Sequence, residues 1–167
     1  LVFKSLILPV EHKFELAWAV VEPSVIEKSL PSLNELGVGR LNLVYCEFSQ
    51  RNIKINLERL ERILISSSQQ CGRNSIMEIA VFNSIDELLT YKQNIALIDF
   101  GGVNLNEYEG DKILFVGPEG GFTDYENEFL LANGFTGVGL GPHILRTEFA
   151  VAALLARLSV RIYPLLK

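Results

Sequence analysis

The stretch ILFVGPEGGFTDYE, Ile113–Glu126, decides the fold. Ile113 to Val116 form a short apolar run, read as a strand buried on both faces. Gly117-Pro118-Glu119-Gly120-Gly121 ends that run. Thr123 and Glu126 then stand three residues apart, the capping-box pattern that opens a helix. A strand passing through a glycine-bearing loop into a helix is the repeating unit of an α/β domain.

The flanking chain carries the same alternation. Leu6–Pro9 and Phe14–Val21 read as strands. Val25, Ile26, Leu30, Leu33 and Leu36 fall near helical spacing, with Gly37 as the stop and Pro31 predicting a kink or a late start. Leu41–Phe48 is strand-like, and Leu57 to Ser67 show one helical face closed at Cys71-Gly72. Ile76–Val81 reads as a strand, Ser84 opens a short helix, and Ile95–Phe100 is a strand ended by Gly101-Gly102. The helix opened by Thr123 stops near Asn133-Gly134. Gly137–Leu140 is a short strand, and Thr147–Leu158 an alanine-rich helix. The pattern predicts one α/β domain with a largely parallel sheet. In such sheets ligands bind beyond the carboxyl ends of the strands. Three glycine-bearing segments fall there: Asp99–Gly102, Gly117–Gly121 and Gly139–Gly141.

Bulk properties narrow the function. At 167 residues the chain suffices for one domain with a sizeable core. A net charge of -5 excludes a global basic field, so any nucleic acid must use a local patch. Cys46 and Cys71 are far apart and outside metal-ligand spacing, which points to a reducing compartment such as the cytoplasm, without a metal. No apolar run reaches the roughly twenty residues of a membrane span, and no signal-peptide pattern is seen. The chain opens on Leu1 rather than methionine, so upstream residues are expected.

The glycines of Gly117–Gly121 either make a tight turn or let backbone approach a flat ligand that a Cβ would block. No Lys-Ser/Thr pair follows, so this is not a Walker loop, and the dinucleotide spacing is also missing. Glu119 disfavours a phosphate in the loop. In Gly139-Leu140-Gly141-Pro142-His143-Ile144-Leu145-Arg146-Thr147-Glu148, Glu148 suits a helix N-terminus. Arg146 opposes the macrodipole there, and such a conflict is expected at a functional site. His143 is read as ordinary surface. Arg73 either serves a helix C-terminus or joins a basic RNA-facing surface. Arg59 and Arg62 share a helix face, but Glu58 and Glu61 interleave, so a solvated face is equally compatible.

GPEGGF, an acidic helix, then LGPHILRTE with an alanine-rich helix together resemble the RsmE family of 16S rRNA (uracil-N3) methyltransferases in the SPOUT superfamily. NELGV, from Asn34 to Val38, is similar to the family's E-L-G-V element. Arg59 through Gln70 to Arg73 is similar to its R…I…Q-x-x-R segment, so the likeness covers about Leu16 to Leu158. Ser32 stands at the family's lysine position and Phe149 where a threonine is usual, and the usual proline after Q-x-x-R is missing near Met77.

The resemblance implies a SPOUT-type parallel sheet with helices on both faces, a C-terminal trefoil knot and a homodimer. It implies one methyltransferase domain over residues 1–167, with the family's N-terminal PUA-like RNA-binding barrel expected to be absent from this chain. It implies S-adenosylmethionine held by Ile98, Asp99, Gly117, Pro118, Glu119, Gly120, Gly121, Leu140, Gly141, Ile144, Leu145 and Arg146. Arg146 would stabilise developing charge, and Glu119 or Glu148 would take the proton. Arg59, Arg62, Gln70 and Arg73 would face 16S rRNA or the small ribosomal subunit. The alternatives are a cofactor-binding ribosome-assembly module with weak or lost activity and, less favoured, a plain nucleotide-binding α/β domain.

Overall fold

A computed structural model describes residues 14–49, 53–92, 95–105 and 113–162. The strand expected at Leu6–Pro9 lies outside them. The elements run β1 (Phe14–Ala19), α1 (Pro23–Glu35), β2 (Val38–Val44), α2 (Leu57–Cys71), β3 (Glu78–Phe82), α3 (Ile85–Tyr91), β4 (Ile95–Asn104), β5 (Ile113–Val116), α4 (Asp124–Ala132), β6 (Thr136–Gly139) and α5 (Thr147–Ile162). The described strands form one sheet in the order β3-β2-β1-β5-β4-β6, and every neighbouring pair is parallel. This is the expected α/β class.

Alternation along β1 assigns the two faces. Leu16 and Trp18 point to a core shared with Ile26, Leu30 and Leu33 of α1, Leu60 and Leu64 of α2, and Val151, Leu154 and Leu155 of α5. Ala17 and Ala19 point to the opposite core, with Ile85 and Leu88 of α3 and Leu130 of α4. Helices therefore cover both faces, as a buried parallel sheet requires.

Caps match the local sequence. Asn56 and Ser84 each accept a backbone N–H in the first turn of their helices. Thr123 and Glu126 form the reciprocal capping box. Gly72 ends α2 at φ +74°, a left-handed position that glycine occupies without steric cost.

Several boundaries differ from expectation, and three have a clear physical reason. Helix α1 does not start late: it runs from Pro23 to Glu35 with Pro31 inside it, and Pro23 occupies its first turn, where a missing N–H costs nothing. Strand β2 ends at Val44, not Phe48, because the chain then turns: Ser49 N–H donates to the Cys46 carbonyl at 3.0 Å, and Cys46 N–H to Ser49 Oγ at 3.0 Å. Strand β4 does not stop at Gly101-Gly102. It continues to Asn104 through a break in register against β6. A Cβ at Gly102 would lie 2.3 Å from the backbone of Gly137, so only glycine permits that approach.

Candidate functional site

The first three strands step outward from β1, and β5 lies on its other side, so the order reverses between β1 and β5. Such a switch point opens a crevice at the carboxyl ends of the strands. A cleft of about 570 Å³ lies at this end, a size that suits a small-molecule ligand. Ile98 of β4, residues 117–121 after β5, and Leu140, Gly141, Ile144, Leu145 and Arg146 after β6 all line it. Every residue expected at a cofactor site is thus gathered in one place, except Asp99, whose side chain lies outside the described parts.

Two glycines of the loop face the chain's own aromatic rings. A Cβ on Gly117 would lie 2.9 Å from the ring of Phe122. Phe122 folds back onto the loop and packs edge-on against Phe115 of β5, with centroids 5.1 Å apart. A Cβ on Gly120 would lie 3.3 Å from the ring of Phe48. Gly121 sits at φ +74°, and its N–H closes the turn on the Pro118 carbonyl at 2.9 Å. Internal packing therefore bears on Gly117 and Gly120, where the sequence also predicts ligand approach.

Thr147, which the sequence reading passed over, fixes the base of the cleft. Its Oγ1 accepts from Trp18 Nε1 at 2.6 Å and donates to the Gly117 carbonyl at 2.9 Å. One hydroxyl thus joins β1, the end of β5 and the start of α5. Arg157 steadies the other wall, with Nη1 donating to the Leu140 carbonyl at 2.9 Å. Val116, Phe122, Asn127, His143 and Ala150 also line the cleft and were missed. They come from five separate elements and loops, and among them only His143 had drawn notice as a polar group in a quoted motif.

The three residues considered for chemistry are placed differently. Arg146 is exposed in the cleft and has no ion-pair partner among the described residues. Glu119 is exposed on the lining. Glu148 is half-buried in the first turn of α5, beyond the lining residues, where a carboxylate favours the helix N-terminus.

The expected RNA-facing residues divide. Arg59, Arg62 and Gln70 line one shallow surface depression on α2. The hydrogen bond from Arg59 to Glu27, a 2.6 Å ion pair, and the charge of Glu27 reinforce the charged state of the guanidinium. Arg73 is instead half-buried, and its Nη1 donates to the backbone and side-chain oxygens of Asn34, each at 2.9 Å. It supplies a cation to the C-terminus of α1, not of its own helix. Among the described residues no cluster of three or more metal-ligating side chains occurs, and no helix is long and apolar enough to cross a membrane.

The sequence model of the RNA methyltransferase domain family matches residues 9–159. The ribosomal RNA small subunit methyltransferase E of Helicobacter pylori is 44% identical over 121 residues, covering 70% of this chain and 54% of the relative. The enzyme of the same name from Mesomycoplasma hyopneumoniae is 31% identical over 157 residues, covering 88% of this chain and 69% of the relative. The chain thus spans about half the length of the first of these relatives. Among solved structures, a ribosomal RNA small subunit methyltransferase E from Neisseria gonorrhoeae bound to S-adenosyl methionine superposes with a TM-score of 0.78 at 25% identity, covering 89% of this chain and 66% of that one.

Proposed function

The chain belongs to the family of RNA methyltransferase domains, and on that premise we propose that it methylates N3 of a uridine in 16S ribosomal RNA, with S-adenosylmethionine as donor. One observation carries this reading. All the residues that the resemblance assigns to the cofactor except Asp99, drawn from three strand ends, line a single cleft. Glycine backbone and the apolar side chains of Ile98, Leu140, Ile144 and Leu145 suit the flat base of such a cofactor, and Glu119 and Arg146 on the same lining suit its charged groups.

When bound, S-adenosylmethionine supplies a methyl group on a sulfonium sulfur. The residues of the chain do the rest. The imide nitrogen of uridine loses its proton as the new N–C bond forms, and negative charge spreads to the flanking carbonyl oxygens. Arg146, exposed in the cleft, is the cation that would stabilise this charge. Glu119 is the carboxylate on the lining that would accept the proton. Glu148 serves the helix terminus better than the reaction. The walls held by Thr147 and Arg157 orient donor and acceptor. Arg59, Arg62 and Gln70 offer a surface for RNA backbone.

Phe149, 59% accessible at the start of α5 and outside the cleft lining, is the exposed apolar group on which a homodimer contact would form. A cytoplasmic location accords with an rRNA substrate.

The test is to incubate the chain with S-adenosylmethionine and small-subunit rRNA and to measure N3-methyluridine by mass spectrometry. Product at one uridine is expected. Tight cofactor binding by calorimetry without product, on free rRNA and on assembled subunits alike, would replace the enzyme with a cofactor-binding assembly module.

A further inference from the structure

His143 sits in the loop between β6 and α5, where the chain bends, three residues before Arg146. It is exposed, but on the lining of the cleft, so its place is a site wall and not the ordinary surface expected from sequence. Four side chains on that lining carry an N–H or O–H to donate: Asn127, His143, Arg146 and Thr147. Thr147 Oγ1 donates to the Gly117 carbonyl at 2.9 Å, and Asn127 Nδ2 to the Phe122 carbonyl at 3.4 Å. The side chains of His143 and Arg146 have no hydrogen-bond or ion-pair partner among the described residues. One loop thus brings two uncommitted donors to one cleft.

Methylation of a ring imide asks for two such donors. Loss of the imide proton to Glu119 leaves negative charge on N3 and on both carbonyl oxygens beside it. The lone pair that forms the N3–C bond, as the methyl–sulfur bond breaks, lies in the ring plane between those oxygens. A single guanidinium spanning both oxygens would stand in the path of the methyl group. Each oxygen is therefore served by its own donor, from its own side of the lone pair. Arg146 serves one. An imidazole, neutral or charged, keeps at least one N–H to donate, so His143 can serve the other in either form.

We propose that His143 is a second catalytic hydrogen-bond donor, holding one carbonyl oxygen of the uracil ring while Arg146 holds the other. The proposal rests on the methyl-transfer reading. It adds a residue that touches the substrate base and leaves the cofactor contacts as they are.

The test compares the wild-type chain with His143→Ala and with His143→Gln, whose amide keeps an N–H of similar reach. Formation of N3-methyluridine is followed on small-subunit rRNA, and on the same rRNA with 2-thiouridine or 4-thiouridine at the methylated position. Sulfur accepts a hydrogen bond poorly, so one of these RNAs lacks the acceptor that His143 serves. His143→Ala should lower kcat on unmodified rRNA about ten- to a hundredfold and leave KM for RNA within about twofold. His143→Gln should recover most of the rate. On one of the two thio-RNAs, the loss from His143→Ala should shrink to about twofold, because the interaction it removes is already gone. S-adenosylhomocysteine affinity, measured by calorimetry, should not change. The same loss on all three RNAs, a full loss in His143→Gln, or a parallel loss of S-adenosylhomocysteine affinity would overturn the proposal. An active chain indifferent to His143→Ala defeats the second donor alone, whereas a wild-type chain that makes no N3-methyluridine defeats the methyl-transfer reading and this proposal with it.

Discussion

At the scale of the residue, Arg146 and Thr147 are neighbours with opposite duties. Arg146 is exposed in the cleft, and its carbonyl accepts the Ala150 N–H at 2.8 Å, so its backbone already starts α5. Its side chain has no ion-pair partner among the described residues. Arg146→Ala should cut turnover by about two to three orders of magnitude, the usual cost of one charge-stabilising group, while changing cofactor affinity little. Single-turnover kinetics beside calorimetry will separate the two; equal losses would make Arg146 a binding residue only. Thr147 is 4% exposed and wholly occupied by structure. Thr147→Val keeps the shape but strands Trp18 Nε1 in the core and removes the donor to the Gly117 carbonyl at the base of the cleft. A loss of about 2–4 kcal/mol is expected, with Thr147→Ser close to wild type, measured by urea unfolding.

At the scale of the element, the ends of α1 and α2 are stitched together by polar groups. Buried Asn34 donates through Nδ2 to Ser67 Oγ and Ser68 Oγ at 3.1 and 3.0 Å. Arg73 closes the array on Asn34 and, through Nε, on Ser75 Oγ at 3.1 Å. Two segments that resemble family motifs therefore meet each other away from the cleft. Arg73→Ala should cost about 1–3 kcal/mol of stability and leave RNA affinity unchanged at temperatures where the variant is folded. A loss of RNA affinity without destabilisation, by anisotropy and urea unfolding, would return Arg73 to the RNA surface.

At the scale of the whole molecule, Cys46 couples stability to alkaline pH. It is 2% exposed beneath the turn that carries Phe48. Burial, and secondarily the charge of Glu126, push its thiol well above the ordinary value of 9.0. The folded state thus holds a proton that the unfolded state releases. Stability from the neutral thiol is complete below pH 9.0 and declines as pH rises above it, by about 1.4 kcal/mol per pH unit. Cys46→Ala should unfold more easily at pH 7 but show a shallower decline between pH 9 and 10 in urea titrations. An unchanged slope would place the alkaline sensitivity elsewhere.

Taken alone, the sequence determined the α/β class, most of the elements and the two motif loops. Local physics sets these: alternation in β1, capping by Ser84 and Thr123, and Gly72 at a left-handed stop. The resemblance added the grouping of cofactor residues into one site. Tertiary structure alone decided why particular residues stand there. Phe48 and Phe122 explain Gly120 and Gly117, Gly137 explains Gly102, and Trp18 explains Thr147 across 129 positions of chain. Hydrophobic periodicity and capping act over a few residues, so they are written in the order of the amino acids. Ring packing, a strand carried through a glycine pair, and the burial of Arg73 on Asn34 depend on partners distant in sequence, which only the folded chain brings within reach.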